Sequence, residues 1–309
     1  MQINIQGGNR AQYGRSIQKM DHNLLGTDLF GYQNLLTALD EHPPEMLDIC
    51  VPTPPRPGPV QKASFSTCAR GSATGEQLIQ AVSRGDLWLN MRGLETLETP
   101  YGNLVHTAHK TFRRHMNVSM GQRAGSLVIS SPRARIDYHV DLKEVTLWNL
   151  RGKRRIFIYP SRSPFIRPEY IQAMALQDRG FEAGVETIPY IKEFEPYGIA
   201  IDLEPGEMIC WPYLSPYRIK NLGAINVSMA LEGMTLPARM RLGTYFFDGF
   251  ANRVSKAKWT GHDTTPIKAF SKWTAAGVIK QAGIIEQRRK DLRPAFKLNL
   301  ARPNCLEPI

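Results

Sequence analysis

The residues best suited to chemistry are a histidine and an aspartate separated by one position, His139 and Asp141, in the sequence Tyr138-His139-Val140-Asp141. Alternate side chains of a β-strand point to the same face, so we expect this imidazole and this carboxylate to converge. Together they would supply two ligands of a facial triad, the arrangement that binds non-haem Fe(II) and leaves coordination positions open. The pair alone is a weak signal, and a structural or surface role is the alternative.

The segment that contains this pair has the sequence pattern of a β-domain. From residue 116 to about residue 231, short apolar runs alternate with Gly, Pro and Asn, which predicts several short strands joined by turns. Such a pattern favours a sandwich or barrel. The predicted strands are Ser126–Ser130, Ile136–Asp141, Val145–Leu150, Arg154–Tyr159, Met208–Trp211, Tyr217–Lys220 and Ala224–Leu231.

Helices are predicted on both sides of this β-region. Thr74 and Gln77 have the spacing of a capping box at the start of a helix, and Leu104–Arg114 has an apolar face at helical spacing. Near the C-terminus, Thr265 and Pro266 are typical of a helix start. A Pro-rich connector is predicted at residues 51–62, because five prolines within eight residues exclude a helix or a central strand.

The charge of the chain is concentrated near its C-terminus. The chain has 309 residues and a net charge of +11, and residues 236–309 hold fourteen Lys and Arg against five Asp and Glu, or +9. Only +2 is left for residues 1–235, so we predict three regions: an N-terminal α/β flank at 1–115, a barrel at 116–235 and a basic helical extension at 236–309. With 42% hydrophobic and 22% charged residues, the composition excludes wholesale disorder.

The same sequence carries no sign of export or membrane insertion. Its first ten residues are polar, and no apolar run approaches the ~18 residues of a membrane span. The four cysteines are far apart, which fits reduced thiols better than a disulfide framework or a zinc knuckle. We therefore expect a cytoplasmic protein.

Two further blocks follow the His-x-Asp pair in a recognisable order. Leu147–Pro160 comes first, and Leu203–Pro212 and Pro216–Asn221 follow about fifty residues later. With these blocks the sequence resembles the JmjC-like cupin oxygenases, the family that includes the asparaginyl hydroxylase acting on hypoxia-inducible factor and bacterial cupin-like relatives. The resemblance covers residues 116–232, and it implies a mainly β fold: a double-stranded β-helix (jelly-roll) core with N-terminal helices and a C-terminal helical extension.

The resemblance also implies a set of site residues. His139 and Asp141 occupy the first two metal-ligand positions of the family, and Arg154 stands where some members pair a lysine with the distal carboxylate of 2-oxoglutarate. The third ligand, a second histidine, should follow Pro216, and this sequence has Tyr217 there. A phenol with a pKa near ~10 binds a metal only after losing its proton. The implied cofactors are Fe(II) and 2-oxoglutarate, with Tyr217 as the departure.

Three functions remain open from the sequence. The first is a 2-oxoglutarate-dependent dioxygenase that hydroxylates a protein side chain or a small molecule. The second is a barrel without iron chemistry, which binds an anion, a protein or a nucleic acid. In the third, the basic extension contacts nucleic acid through its cations and aromatic side chains, although a core role for these aromatics fits better. The resemblance further implies a homodimer formed through the C-terminal helices.

Overall fold

Two β-sheets form the centre of the molecule. A computed structural model describes residues 2–52, 60–62, 65–176, 188–255, 258–260, 265–282 and 293–309. In these ranges the strands are β1 Ile5–Gly7, β2 Gln18–His22, β3 Leu47–Pro52, β4 Val60–Lys62, β5 Phe65–Ala69, β6 Trp88–Met91, β7 Gly121–Ser130, β8 Arg135–His139, β9 Glu144–Arg151, β10 Arg154–Ile158, β11 Pro189–Ile191, β12 Ile199–Leu203, β13 Glu207–Cys210, β14 Tyr217–Asn221, β15 Asn226–Met234, β16 Phe296–Leu298 and β17 Leu306–Pro308.

Six α-helices flank these sheets in the described part of the chain: α1 Tyr32–Glu41, α2 Gly75–Arg84, α3 Pro100–Met116, α4 Pro168–Ala175, α5 Leu236–Ser255 and α6 Pro266–Gln281. The predicted capping box is confirmed, because Thr74 accepts from the amide of Gln77 while Gln77 caps the amide of Thr74. Helix α6 begins with Pro266 after Thr265, as predicted. Most of the predicted Pro-rich connector at 51–62, namely residues 53–59, lies outside the described residues.

The larger sheet has the strand order β1-β2-β13-β9-β15-β7-β6-β3-β5-β16-β17, and the smaller has the order β12-β10-β14-β8. Apolar side chains from both sheets meet in one core between them, where Leu147 and Ile209 pack with Ile156 and Ile219. Helices α1 to α3 contribute to a second core together with strands of the larger sheet. The predicted β-core with flanking helices is therefore confirmed.

Strands from the three predicted regions share the larger sheet. β3 and β6 of the N-terminal flank continue it beyond β7, and β16 pairs with β5 at its far side. The C-terminal extension thus contains two short strands after its helices, which the sequence patterns did not indicate. All four cysteines are free and buried. Within the described residues, no helix is both long and apolar enough to cross a membrane.

Candidate functional site

His139, Asp141 and Tyr217 meet at one end of the smaller sheet. Tyr217 on β14 is the register partner of His139 on β8, and their ring centroids are 4.1 Å apart. Asp141 lies two residues beyond His139, just past the end of the strand. The hydroxyl of Tyr217 donates a hydrogen bond of 2.6 Å to Oδ2 of Asp141. The structure therefore brings together the three residues that the sequence suggested as a metal site.

A local irregularity of β8 helps to set these directions. The pairing of β8 with β14 shifts register between Tyr217 and Ile219, which is the signature of a β-bulge. Beyond the bulge, Tyr138 and Val140 are buried in the apolar cluster beside helix α5. Because side chains alternate along an extended chain, His139 and Asp141 point to the opposite side, where the side chain of Tyr217 on β14 also lies.

One hydrogen bond fixes the tautomer of the His139 imidazole. Its Nδ1 lies 2.7 Å from the carbonyl oxygen of Asp137, and since a carbonyl only accepts, Nδ1 must carry a proton. In the neutral ring this places the lone pair on Nε2, the nitrogen that would bind a metal. The main-chain oxygen of Asp137, and not its carboxylate, therefore orients the ring. The carboxylate of Asp137 pairs with Arg135 at 3.5 Å.

The environment of Asp141 is not that of a free metal ligand. Burial raises the pKa of the Asp141 carboxyl, and the charge of His139 and the hydrogen bond from Tyr217 oppose that shift. Tyr217 is only 7% exposed, and its ring also packs on Trp211 at 4.5 Å. The phenol is thus held as a neutral hydrogen-bond donor to the carboxylate.

These three side chains do not fit a His-carboxylate-His triad. The third donor is a phenol whose proton is already shared with the carboxylate that would have to bind the metal. Among the described residues, no group of three or more His, Cys, Asp or Glu side chains could hold a metal ion. His106 and His109, the two histidines one turn apart on α3, do not supply the missing ligand. His109 is buried and donates from Nε2 to the carbonyl of Ala124 at 2.9 Å.

Arg154 forms a second polar group inside the same barrel. Its side chain is 2% exposed, yet no carboxylate within the described ranges pairs with it. Nε donates to Oδ1 of Asn226 at 3.2 Å, and Nη1 donates to the hydroxyl of Ser228 at 3.0 Å. The remaining nitrogen, Nη2, is buried without a hydrogen-bond partner. Burial lowers the pKa of Arg154 to about 10, so the guanidinium stays charged at neutral pH.

The sequence did not single out the partners of Arg154. Asn226 and Ser228 lie two residues apart on β15, so their side chains share a face. Both are fully buried, and a polar i, i+2 pair in an otherwise apolar strand was the available signal. A third fully buried polar residue, Asn149, is the register partner of Ser228, and its Oδ1 has no hydrogen-bond partner.

The two polar groups lie at opposite ends of one strand pair. Tyr217 pairs with Ile158 of β10, whereas Arg154 is four residues earlier on β10, about 13 Å along the strand. Buried Ile156 and Ile219 lie between them. Arg218, the residue after Tyr217 on β14, is bonded to the carboxylate of Glu195.

Comparisons with known proteins agree on the fold. An X-ray structure of E. coli YcfD is 13% identical to this chain, with 95% of this chain and 75% of that chain aligned at a TM-score of 0.50. A structure of the E. coli ribosomal oxygenase YcfD aligns with 13% identity over 94% and 74% of the two chains, with a TM-score of 0.48. The same values hold for YcfD in complex with cobalt and 2-oxoglutarate.

No protein-family model matches this chain, and neither does the sequence of any curated protein. At 13% identity, the structural likeness shows a common fold and nothing finer. The molecule therefore shares the fold of that E. coli structure, with a mainly β core and flanking helices. The function of the candidate site depends on its own residues.

Proposed function

We propose that this protein is a JmjC-like barrel that binds a small carboxylate of the 2-oxoglutarate class at Arg154 and does not use iron. The observation that carries the proposal is the buried guanidinium with one unpartnered nitrogen and, among the residues that the structure describes, no paired carboxylate. Removing a cation from water costs several kcal/mol unless an anion or further hydrogen bonds compensate. A carboxylate that accepts from Nη2 would supply both.

The geometry of Arg154 suits a carboxylate better than a structural role alone. Asn226 and Ser228 hold two of its nitrogens, so the guanidinium plane is fixed before any ligand arrives. A fixed guanidinium is the usual group for recognising a planar carboxylate. The competing explanation is one internal water molecule that joins Nη2 to Oδ1 of Asn149, because both atoms are buried and unpartnered.

The second part of the proposal, that the protein does not use iron, rests on His139, Asp141 and Tyr217. Two protein ligands and a phenol bonded to one of them make a poor Fe(II) site, because the metal would have to displace the phenol proton from Asp141. The anion site is about four residues away along the strand and is built from different side chains. Carboxylate binding at Arg154 therefore does not depend on a metal.

Calorimetric titration of 2-oxoglutarate in the presence of EDTA tests this proposal. We expect saturable binding to the wild type and a loss of about 10- to 150-fold in affinity for Arg154→Gln, the effect of losing a charged hydrogen bond of about 1.5–3 kcal/mol. Arg155→Gln is the matched control, since Arg155 is the next residue, faces outward and is paired with Asp202 at 2.6 Å.

Three outcomes of this titration would overturn the proposal. They are no heat with the wild type, equal losses in the two variants, and binding that requires a divalent metal. An Arg154→Lys variant guards against misfolding, because it keeps the charge and should retain part of the affinity. If an internal water fills the site instead, 2-oxoglutarate will not raise the melting temperature of the wild type at millimolar concentration.

A second candidate function is a 2-oxoglutarate-dependent hydroxylase, favoured by one observation. His139 and Asp141 converge, and the hydrogen bond at Nδ1 of His139 places the lone pair of the neutral imidazole on Nε2. Anaerobic addition of Fe(II) and 2-oxoglutarate would then produce a visible charge-transfer band that disappears in His139→Ala. Without a band and without bound metal, this candidate is excluded.

A further inference from the structure

A long segment around helix α3 contains no acidic residue. After Glu98, the next Asp or Glu is Asp137, and the 38 residues between them hold six Lys and Arg. This concentration of positive charge lies in the part of the chain whose net charge is only +2. It is therefore separate from the basic C-terminal extension and has to be explained by itself.

The fold gathers four of these six cations, and one more from the N-terminal segment, near the C-terminal end of α3. Lys110, Arg113 and Arg114 lie on the last two turns of the helix. Arg10 joins them from the N-terminal segment, because its Nε donates to the carbonyl of His115 at 2.6 Å. Arg123 follows at the start of β7, where its charge contributes to lowering the pKa of His109 on α3. We call these five residues the α3 basic surface.

Contacts between the N-terminal segment and helix α3 hold the α3 basic surface in place. His115 donates from Nε2 to the carbonyl of Gly7 at 2.7 Å, which ties the N-terminal segment to the helix end. Tyr13 packs edge-on against Phe112 of α3 at 5.7 Å. The guanidinium of Arg10 is thus positioned by the fold beside the last turn of α3, rather than by a carboxylate.

None of the five cations has an acidic partner among the described residues. The neighbouring acids are already engaged by main-chain amides: Glu95 accepts from Gly125 at 2.8 Å, and Glu144 accepts from Thr235 at 2.6 Å. Attraction to the helix dipole accounts for cations in the last turn only. It does not account for Lys110 or Arg123.

We propose that the α3 basic surface binds the phosphate backbone of a nucleic acid duplex. Four of its five cations are arginines, whose planar donors match phosphate oxygens. Membrane binding would require large apolar side chains on the exposed face of the helix. Apart from Pro100 at the first position of the helix, the exposed positions of α3 and the residues just after it are polar, namely Asn103, His106, Lys110, Arg114, Asn117 and Ser119. The surface offers no exposed aromatic residue on α3 for stacking, so we expect backbone contacts without sequence preference.

The experiment is a salt titration of binding to a fluorescent 20-base-pair DNA duplex. The test variant is Lys110→Gln/Arg114→Gln/Arg123→Gln, since all three side chains are exposed. Each lost phosphate contact lowers the slope of log affinity against log salt by about 0.9, or about 2.7 for three. The affinity ratio of wild type to variant should therefore be about 40-fold larger at 50 mM than at 200 mM salt.

A matched control removes the same charge elsewhere. Lys19→Gln/Lys153→Gln/Arg155→Gln neutralises three cations that are each paired with an acid, at 2.7, 2.6 and 2.6 Å. We expect this control to keep the wild-type slope, and both triple variants to keep the wild-type melting temperature. Equal slopes for the two variants, no binding at 50 mM salt, or equally strong competition by poly-glutamate would each overturn the proposal. The last outcome would point to an acidic protein instead.

Discussion

Replacing Tyr217 by phenylalanine removes one atom from the centre of the candidate site and leaves the rest of the side chain in place. The ring contacts with His139 at 4.1 Å and Trp211 at 4.5 Å are available to phenylalanine. The hydrogen bond of 2.6 Å to Asp141 is lost. A hydrogen bond to a charged acceptor contributes about 1.5–3 kcal/mol, so we expect Tyr217→Phe to lower the free energy of unfolding by about 2 kcal/mol.

Urea denaturation at pH 7, followed by tryptophan fluorescence, measures this loss. Tyr138→Phe is the matched control, because Tyr138 is also buried but donates to a neutral carbonyl, that of Phe165, at 2.9 Å. We expect the control to cost about 1 kcal/mol, the usual value for a neutral pair.

A double-mutant cycle with Asp141→Ala then isolates the interaction between the two side chains. The coupling free energy between Tyr217→Phe and Asp141→Ala should be about 2 kcal/mol. A coupling near zero would refute the reasoning, and so would a Tyr217→Phe variant no less stable than Tyr138→Phe. Either result would mean that the phenol is not held by Asp141 and is available to a metal.

Three other predictions concern the scaffold. Burial lowers the pKa of His22 to about 4, so the unfolded chain binds the proton at a higher pH than the folded chain does. The free energy of unfolding should therefore fall by up to about 3 kcal/mol between pH 6.5 and pH 4. In urea titrations, His22→Gln should reduce this dependence on pH. Lys272→Met should cost about 3–5 kcal/mol in the same assay, because Asp248, 0% exposed and 2.6 Å from Lys272, would lose its counter-charge; an unchanged midpoint would contradict this. We also propose a homodimer through α6, where Ile267 is 83% and Phe270 53% exposed; Phe270→Asp should then shift the mass measured by light scattering from dimer to monomer, and a monomeric wild type would exclude it.

Most of the β-core could be predicted because its strands carry their own signals. Apolar runs such as Val145–Leu150, bounded by turn residues, correspond to β9, Glu144–Arg151. β12, Ile199–Leu203, was missed although its sequence alternates, because the alternation is short and follows a stretch without clear pattern. β16 and β17 have three residues each; β16 pairs with β5 and β17 pairs with β16, and no local pattern encodes either pairing.

The residues of the candidate site could be predicted from the sequence, but the contacts between them could not. The spacing of His139 and Asp141 and the likeness to the JmjC-like family suggested which side chains to compare. Whether Tyr217 contacts Asp141 depends on the register between β8 and β14, including a bulge, and strand register is a property of the whole sheet. In the same way, the burial of Arg154 without a paired carboxylate from the described part of the chain is visible only once the two sheets are packed together.

The iron content of the purified protein is the most direct test of the account. Wild type and Tyr217→His would be loaded anaerobically with Fe(II), desalted, and analysed for metal per chain by mass spectrometry. We predict that the wild type retains little iron, whereas Tyr217→His, which restores a second imidazole, retains close to one ion per chain. Stoichiometric iron in the wild type, lost in His139→Ala, would contradict the account and establish a metal centre with a tyrosine in its third position.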